Sequence, residues 1–228
     1  MRFYIADNHF HHAKMNTAMD KRGFESLEAM HDYMIKQWNS VVRKNDEVVI
    51  LGDFSLGKGE ETNGILRQLN GKKFLVNGGH DKFLQDRKFD QSLFQWIKPY
   101  AEMHDDGRKV VLCHYPIFCY NGQFRTDKDG KPITWMLHGH THLTEDQELV
   151  EQFKDITRST LRKSKYDNES KTIPVQMIDC FCMLSDYKPL TLDQWIEMEQ
   201  SGVIKDLIDR KWYYSDNKMC IRDSTCIG

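Results

Sequence analysis

The feature that most constrains this chain is a set of five short apolar runs, each followed at once by a loop that carries Asp, His or Asn. The runs occupy positions 3–6, 48–51, 74–76, 109–113 and 133–137. Short continuous apolar runs are typical of strands that are buried on both faces. Because ligands of α/β folds bind beyond the carboxyl ends of the strands, the five loops are predicted to meet at one site.

The segments between these runs complete an α/β pattern. Apolar residues at helical spacing predict helices over 27–42, 60–69 and 191–199. A late apolar run predicts a core strand over 175–178. Thr191 and Gln194 have the spacing of a capping box at the start of the last helix. The chain is therefore predicted to alternate strands with helices, as α/β proteins do.

Composition narrows the class of protein further. With 228 residues, 39% of them hydrophobic, the chain can bury one large core, and we expect a single domain over 1–214. Positions 215–228 lack periodicity and are interpreted as a tail, either disordered or non-native. A net charge of −2 does not favour nucleic-acid or membrane binding. No apolar stretch is long enough to cross a bilayer and no secretory leader is evident, so a cytoplasmic location is expected.

The residues in the five loops have the chemistry of a metal site. The loops contain the strings Asp7-x-His9, Gly52-Asp53, Gly79-His80-Asp81, His114 and Gly139-His140-x-His142. Carboxylates mixed with imidazoles suit Mn, Fe, Zn, Co or Ni, and one ion cannot use all of these groups. Two ions that share a carboxylate can, and ion pairs about 3.5–4 Å apart serve phosphoryl displacement in many enzymes.

In their order and spacing, these five strings resemble the motifs of the calcineurin-like metallophosphoesterase superfamily, and the resemblance extends from about position 3 to 178. It implies a four-layer α-β-β-α sandwich with two mixed β-sheets. It also implies two divalent metal ions, with Mn²⁺ the first choice in vitro. The metal ligands that it implies are Asp7, His9 and His142 for the first ion, His114 and His140 for the second, and Asp53 as the bridge. His80 matches the acid that protonates the leaving oxygen, and Asp81 matches the residue that orients it.

The resemblance implies hydrolysis of a phosphoester by a hydroxide that bridges the two metals. A phosphodiester is favoured over a monoester, because an acid such as His80 helps most when the leaving alkoxide is poor. A phosphomonoesterase and a nuclease are the alternatives within this class, so nucleotides and nucleic acids are among the candidate substrates. The alternative from another class is a pseudoenzyme that binds metal and phosphate without cleavage.

One position departs from the family pattern. The residue before the catalytic histidine is usually an asparagine that binds the second metal, and here it is Gly79. Glycine supplies no ligand, so the second metal is predicted to bind more weakly. A natural variant and an engineered substitution both remain open, and Gly79→Asn is expected to raise second-metal affinity and turnover.

Several other residues have competing interpretations. His31 and His104 are expected to be structural and His11 exposed, while His12 and His138 can either support the site or lie apart from it. Six cysteines without a zinc pattern are interpreted as free, mostly buried thiols. Arg158, Arg162 and Lys165 are predicted to share a helical face, which would either meet a phosphate backbone or be solvated.

Overall fold

The computed structural model describes residues 1–163, 170–202 and 204. Positions 215–228, the predicted tail, and Lys165 lie outside the described residues. The strands are β1 (Arg2–Ile5), β2 (Glu47–Ile50), β3 (Lys72–Val76), β4 (Phe94–Lys98), β5 (Tyr100–Asp105), β6 (Arg108–Cys113), β7 (Thr134–His138), β8 (Arg162–Lys163), β9 (Ser170–Lys171) and β10 (Met177–Asp179). The α-helices are α1 (Ala13–Thr17), α2 (Leu27–Val41), α3 (Gly59–Gln68), α4 (Glu145–Ser159) and α5 (Leu192–Gln200). Within these ranges no helix combines the length and apolar character needed to cross a membrane.

The first sheet has the order β1-β2-β3-β4 and is parallel throughout. Helices α1 and α2 lie between β1 and β2 in the chain, and α3 lies between β2 and β3. Such crossover helices return the chain to the same end of the sheet, which makes neighbouring strands parallel. The carboxyl ends of these strands therefore lie at one edge.

The second sheet has the order β10-β7-β6-β5 and is mixed. Its strands β10, β7 and β6 are parallel, and β5 pairs with β6 in the antiparallel sense. Asp106 and Gly107 join β5 to β6 with φ values of 46° and 75°, as a two-residue hairpin turn requires. The prediction of two mixed sheets was therefore correct for the second sheet and wrong for the first, because a hairpin connection occurs only in the second.

The predicted elements agree with the structure where the hydrophobic pattern is strong. All five apolar runs fall on strands to within a residue or two, and the capping box of Thr191 and Gln194 is present at the start of α5. The predicted basic helical face is wrong, because α4 ends at Ser159 and Arg162 lies in the short strand β8. The Arg162 guanidinium lies 3.5 Å from the centre of the Phe124 ring instead.

One hydrophobic cluster contains buried residues from both four-stranded sheets. Ile5 and Leu75 of the first sheet and Leu112 and Leu137 of the second belong to it, and none of the four side chains contacts solvent. Burying such a side chain contributes about 1.5–3 kcal/mol, so the strand ends of both sheets are held by a shared core. The molecule is thus a mixed α/β fold with two multi-strand sheets and helices.

Candidate metal centre

The strand-end loops of both sheets bring Asp and His side chains together. Asp7 and His9 follow β1, Asp53 follows β2, His114 follows β6, and His142 lies in the loop after β7. These residues, with His80 after β3, form three groups whose ligand atoms lie within 4.8 Å of one another: Asp7, His9 and His142; His9, Asp53 and His80; Asp7, Asp53 and His114. Each group shares a residue with the next, so the cluster is continuous.

Backbone strain is concentrated in the same loops. Five of the six predicted metal ligands have positive φ values: Asp7 (56°), His9 (51°), Asp53 (51°), His140 (73°) and His142 (48°). A side chain with a Cβ rarely adopts this conformation, which costs about 1–3 kcal/mol at each position. Because the cost recurs at five converging positions, the strain itself indicates a functional site.

The Asp7 side of the centre is fully enclosed. The Asp7 carboxylate has no exposed surface and accepts the backbone N–H of His140 at 3.0 Å. His9 Nε2 lies 3.3 Å from His142 Nε2 and 3.6 Å from Asp53 Oδ2. Burial and the charge of His142 lower the pKa of His9 to about 2, so its ring is neutral and able to ligate a cation.

Asp20 and Arg22, which sequence reasoning did not assign to the site, orient His142. The Asp20 carboxylate accepts His142 Nδ1–H at 2.9 Å and binds the Arg22 guanidinium at 3.0 Å. Burial would raise the pKa of Asp20, but the hydrogen bond and charge of His142 and the charge of Arg22 hold it well below its usual range. Arg22 also donates to the carbonyl oxygens of Asp7 and Asn8. With its Nδ1 proton fixed in this way, neutral His142 keeps a lone pair on Nε2.

His114 supplies a direct test of whether a cation fits. Its Nδ1 lies 2.8 Å from the carbonyl oxygen of Leu51, which fixes the proton there. Its Nε2 is buried, has no hydrogen-bond partner, and lies 3.5 Å from Asp53 Oδ2. Burial opposes a charge on this ring, but the carboxylates of Asp53 and Asp7 raise the pKa of His114 to about 9 in the metal-free protein. The two carboxylates thus favour a positive charge at this ring, and a pocket that favours positive charge beside a buried nitrogen without a hydrogen bond fits a divalent cation.

His140 lies at the rim of the centre. Its side chain is exposed, and its ring centre lies 5.2 Å from that of His114. Among the described residues, the groups that could hold an ion do not include it. Its predicted role as a second-metal ligand therefore stays a prediction, although its position beside His114 is compatible with that role.

His80 and Asp81, the predicted catalytic pair, have different contacts. His80 Nδ1 lies 2.7 Å from Asp53 Oδ2, the ring centre lies 5.4 Å from that of His9, and about half of the side chain is exposed. The buried Asp81 carboxylate instead accepts the backbone N–H groups of Gly78, Asp53 and Phe54. Burial raises the pKa of Asp81 to about 6. Asp81 thus holds the two loops together, and Asp53 is the carboxylate that orients the His80 ring.

The two adjacent glycines differ in what a side chain would meet. A Cβ at Gly78 would collide with Asp53 Oδ1, so that position must be glycine for the loops to approach. A Cβ at Gly79 would meet only the hydroxyl of Tyr115, at 3.1 Å. Gly78 is therefore a structural requirement, whereas a side chain at residue 79 would require only a small shift of the Tyr115 hydroxyl.

His31, His11, His12 and His138 differ in burial and in their contacts. His31 is buried and accepts the backbone N–H of His11 at 2.9 Å, as expected for a structural residue. The prediction that His11 is exposed is wrong, because its ring packs edge-on against His31 with centres 4.4 Å apart. His12 Nδ1 lies 3.5 Å from His9 Nδ1, which places it beside the site. His138 is buried, with Nδ1 3.0 Å from the carbonyl oxygen of Gly139. Four cysteines are described, all free: Cys113, Cys119, Cys180 and Cys182.

Comparison with known proteins supplies relatives of similar length. No family model matches the chain. It is 29% identical over 204 residues to the uncharacterized protein MJ1445 of Methanocaldococcus jannaschii, a match that covers 89% of this chain and 93% of that protein. The structure of AQ665 from Aquifex aeolicus, a protein of unknown function, has the same fold, with a TM-score of 0.56, 22% identity, and 87% and 98% of the two chains covered. The gene 66 protein of Mycobacterium phage L5 is 30% identical over 167 residues, which cover 61% of this chain and 76% of the phage protein. The chain therefore belongs to the same family as this phage protein.

Proposed function

We propose that the chain is a metal-dependent phosphoesterase of the calcineurin-like superfamily. The proposal includes the superfamily's four-layer α-β-β-α sandwich and a single domain over 1–214. It also includes two divalent ions, one held by Asp7, His9 and His142, the other by His114 and His140, with Asp53 between them.

The observation that carries the proposal is the buried His114 Nε2, which lacks a partner and lies among overlapping groups of carboxylates and imidazoles. Buried polar atoms are usually hydrogen-bonded, so the missing hydrogen bond supports a ligand role for this nitrogen. In both His114 and His142, Nδ1 makes a hydrogen bond, which orients the ring and directs Nε2 to the opposite side. This second contact is the usual arrangement of metal-binding histidines.

Divalent ions in this centre would ionise a water molecule near neutral pH and neutralise the charge on phosphoryl oxygens. The protein's own residues would position and supply the acid that protonates the leaving oxygen. Asp53 holds His80 Nδ1, which leaves Nε2 directed away from that carboxylate and able to protonate a leaving oxygen. Asp81 fixes the position of this loop through three backbone hydrogen bonds.

A phosphodiester is the preferred substrate class, with nucleotides and nucleic acids among the candidates. The exposed His80 ring is placed to serve as an acid for an alkoxide, a leaving group that needs a proton. The centre is also open at the His80 and His140 rim, so a substrate with two ester arms can enter without being enclosed.

The test compares bis-p-nitrophenyl phosphate with p-nitrophenyl phosphate, with Mn²⁺ and after chelation. We expect turnover of both that is lost with the metal, and faster turnover of the diester. Faster monoester cleavage would assign a phosphomonoesterase, and cleavage of single-stranded DNA or RNA would assign a nuclease. His80→Ala should reduce turnover roughly 100-fold or more.

A non-catalytic metal- and phosphate-binding protein is the second candidate, and Gly79 is the observation that favours it. The glycine gives no ligand to the second ion, and a centre with one ion can bind phosphate without activating a nucleophile between two metals. Metal and phosphate binding without turnover, in both the native chain and Gly79→Asn, would establish this alternative. Absence of metal binding would refute both candidates.

A further inference from the structure

The space beside Gly79 is occupied by an aromatic side chain from another loop. The hydroxyl of Tyr115 lies 3.1 Å from the position that a Cβ at residue 79 would take. The side-chain amide of an asparagine at residue 79 would extend from that same Cβ position. The phenolic oxygen of Tyr115 is therefore the polar group that stands next to the missing side chain.

Tyr115 is held against the second half of the candidate centre. Its ring packs edge-on against His114 and His140, with ring centres 4.8 and 4.6 Å apart. Its backbone follows His114 directly, and His114 is fixed by its contact with Leu51. The residue is nevertheless 46% exposed, so one end of the tyrosine is packed while the other is in water. It borders the centre and also faces the solvent from which a substrate arrives.

We propose that Tyr115 is a substrate-positioning residue whose hydroxyl donates a hydrogen bond to a phosphoryl oxygen bound at the His114 and His140 half. This inference rests on the proposed function. A tyrosine hydroxyl carries an O–H donor, which suits a hydrogen bond to an anionic phosphoryl oxygen better than coordination of a divalent cation. Gly79 then has a purpose, because a side chain there would press on the hydroxyl that contacts the substrate.

The first test measures binding of inorganic phosphate to the Mn²⁺-loaded protein by calorimetry. Tyr115→Phe removes one hydrogen bond to a charged group, and we expect phosphate affinity to fall roughly 5- to 20-fold. The amount of metal bound should not change. Tyr100→Phe is the matched control, since Tyr100 is 39% exposed and donates to Glu102 on β5; its phosphate affinity should equal that of the native protein.

A double-mutant cycle separates positioning from simple packing. Gly79→Ala places a Cβ 3.1 Å from the hydroxyl, so it should weaken phosphate binding two- to fivefold in the native protein and have no effect in Tyr115→Phe. Gly64→Ala is its control, because a Cβ there meets nothing within 4 Å.

The outcomes are distinguishable. If Tyr115→Phe binds phosphate as the native protein does, the role of Tyr115 is refuted while the proposed function stands. If Tyr115→Phe loses bound metal, the residue is a metal ligand and the proposal is wrong in that respect. If the native Mn²⁺-loaded protein binds no phosphate, the proposed function fails, and the role of Tyr115 fails with it.

Discussion

The two halves of the candidate centre differ in how firmly their side chains are held. Asp7 and His9 are buried and His142 nearly so, and hydrogen bonds to His140 N–H and Asp20 hold Asp7 and His142 in place. In the other half only His114 is braced in this way, while His140 is exposed and Gly79 brings no side chain. Ligands that are fixed in advance bind with less loss of entropy. The two sites should therefore differ in affinity, with the Asp7 half filled first.

The residue common to both halves should give the largest effect. Asp53 Oδ2 lies within 3.6 Å of His9 and His114 and accepts from His80. Asp53→Asn removes the charge that balances both ions, so we expect loss of at least one metal ion and a fall in turnover of at least about 100-fold. Metal content by elemental analysis and diester turnover measure the two effects.

Asp193→Asn provides the control for this change. Asp193 is exposed and pairs with Arg108, the first residue of β6, whereas His114 follows the last residue of that strand. Its metal content and turnover should remain those of the native chain. If Asp53→Asn retained two ions and full turnover, as Asp193→Asn is expected to do, Asp53 would not be a ligand that the two halves of the centre share.

Asp20, which accepts a hydrogen bond from His142, should give the next largest effect on metal binding. Asp20→Asn keeps the shape of the side chain but removes the charge that faces His142 and Arg22. Because partners of metal-bound histidines contribute about 10- to 100-fold in affinity, the tighter site should weaken by that factor while the weaker one changes little. Metal titration by calorimetry resolves both steps. Equal weakening at both sites would mean that the loss is a general loosening of the fold.

Gly79→Asn tests the half of the centre that contains His114 and His140. The sequence predicts that this change raises second-metal affinity, and the structure indicates that Tyr115 limits the gain. The new Cβ would lie 3.1 Å from the Tyr115 hydroxyl, so the amide can reach the second ion only if that hydroxyl moves. We expect less than a tenfold gain in second-metal affinity in the native background and a larger gain in Tyr115→Phe. A large gain in Gly79→Asn alone would show that the tyrosine offers no obstacle.

The same contrast separates what the sequence could predict from what it could not. Asp7, Asp53 and His114 were found because each lies within two residues of the end of an apolar run, and that signal is local. Asp20 and His142 are 122 positions apart, and no local sequence pattern predicts their contact. The Tyr115 hydroxyl reaches Gly79 only through the packing of two sheets. The hairpin of β5 and β6 was missed although Asp106-Gly107 is a strong local turn signal.

The smallest effect lies outside both halves, at a histidine that serves the fold alone. Burial and the nearby His11 lower the pKa of His31 to about 4, and its ring accepts the His11 N–H only when neutral. The unfolded chain takes up this proton near pH 6.5, so stability is complete above that pH and declines as the pH falls toward 4. The decline should amount to about 1–2 kcal/mol, since the ring edge retains some contact with water. His31→Gln keeps an acceptor without the titration, so chemical denaturation at pH 7 and pH 5 should show a smaller difference in unfolding free energy than the native chain does. If the two proteins lost equal stability between pH 7 and pH 5, His31 would not be the source of the pH dependence.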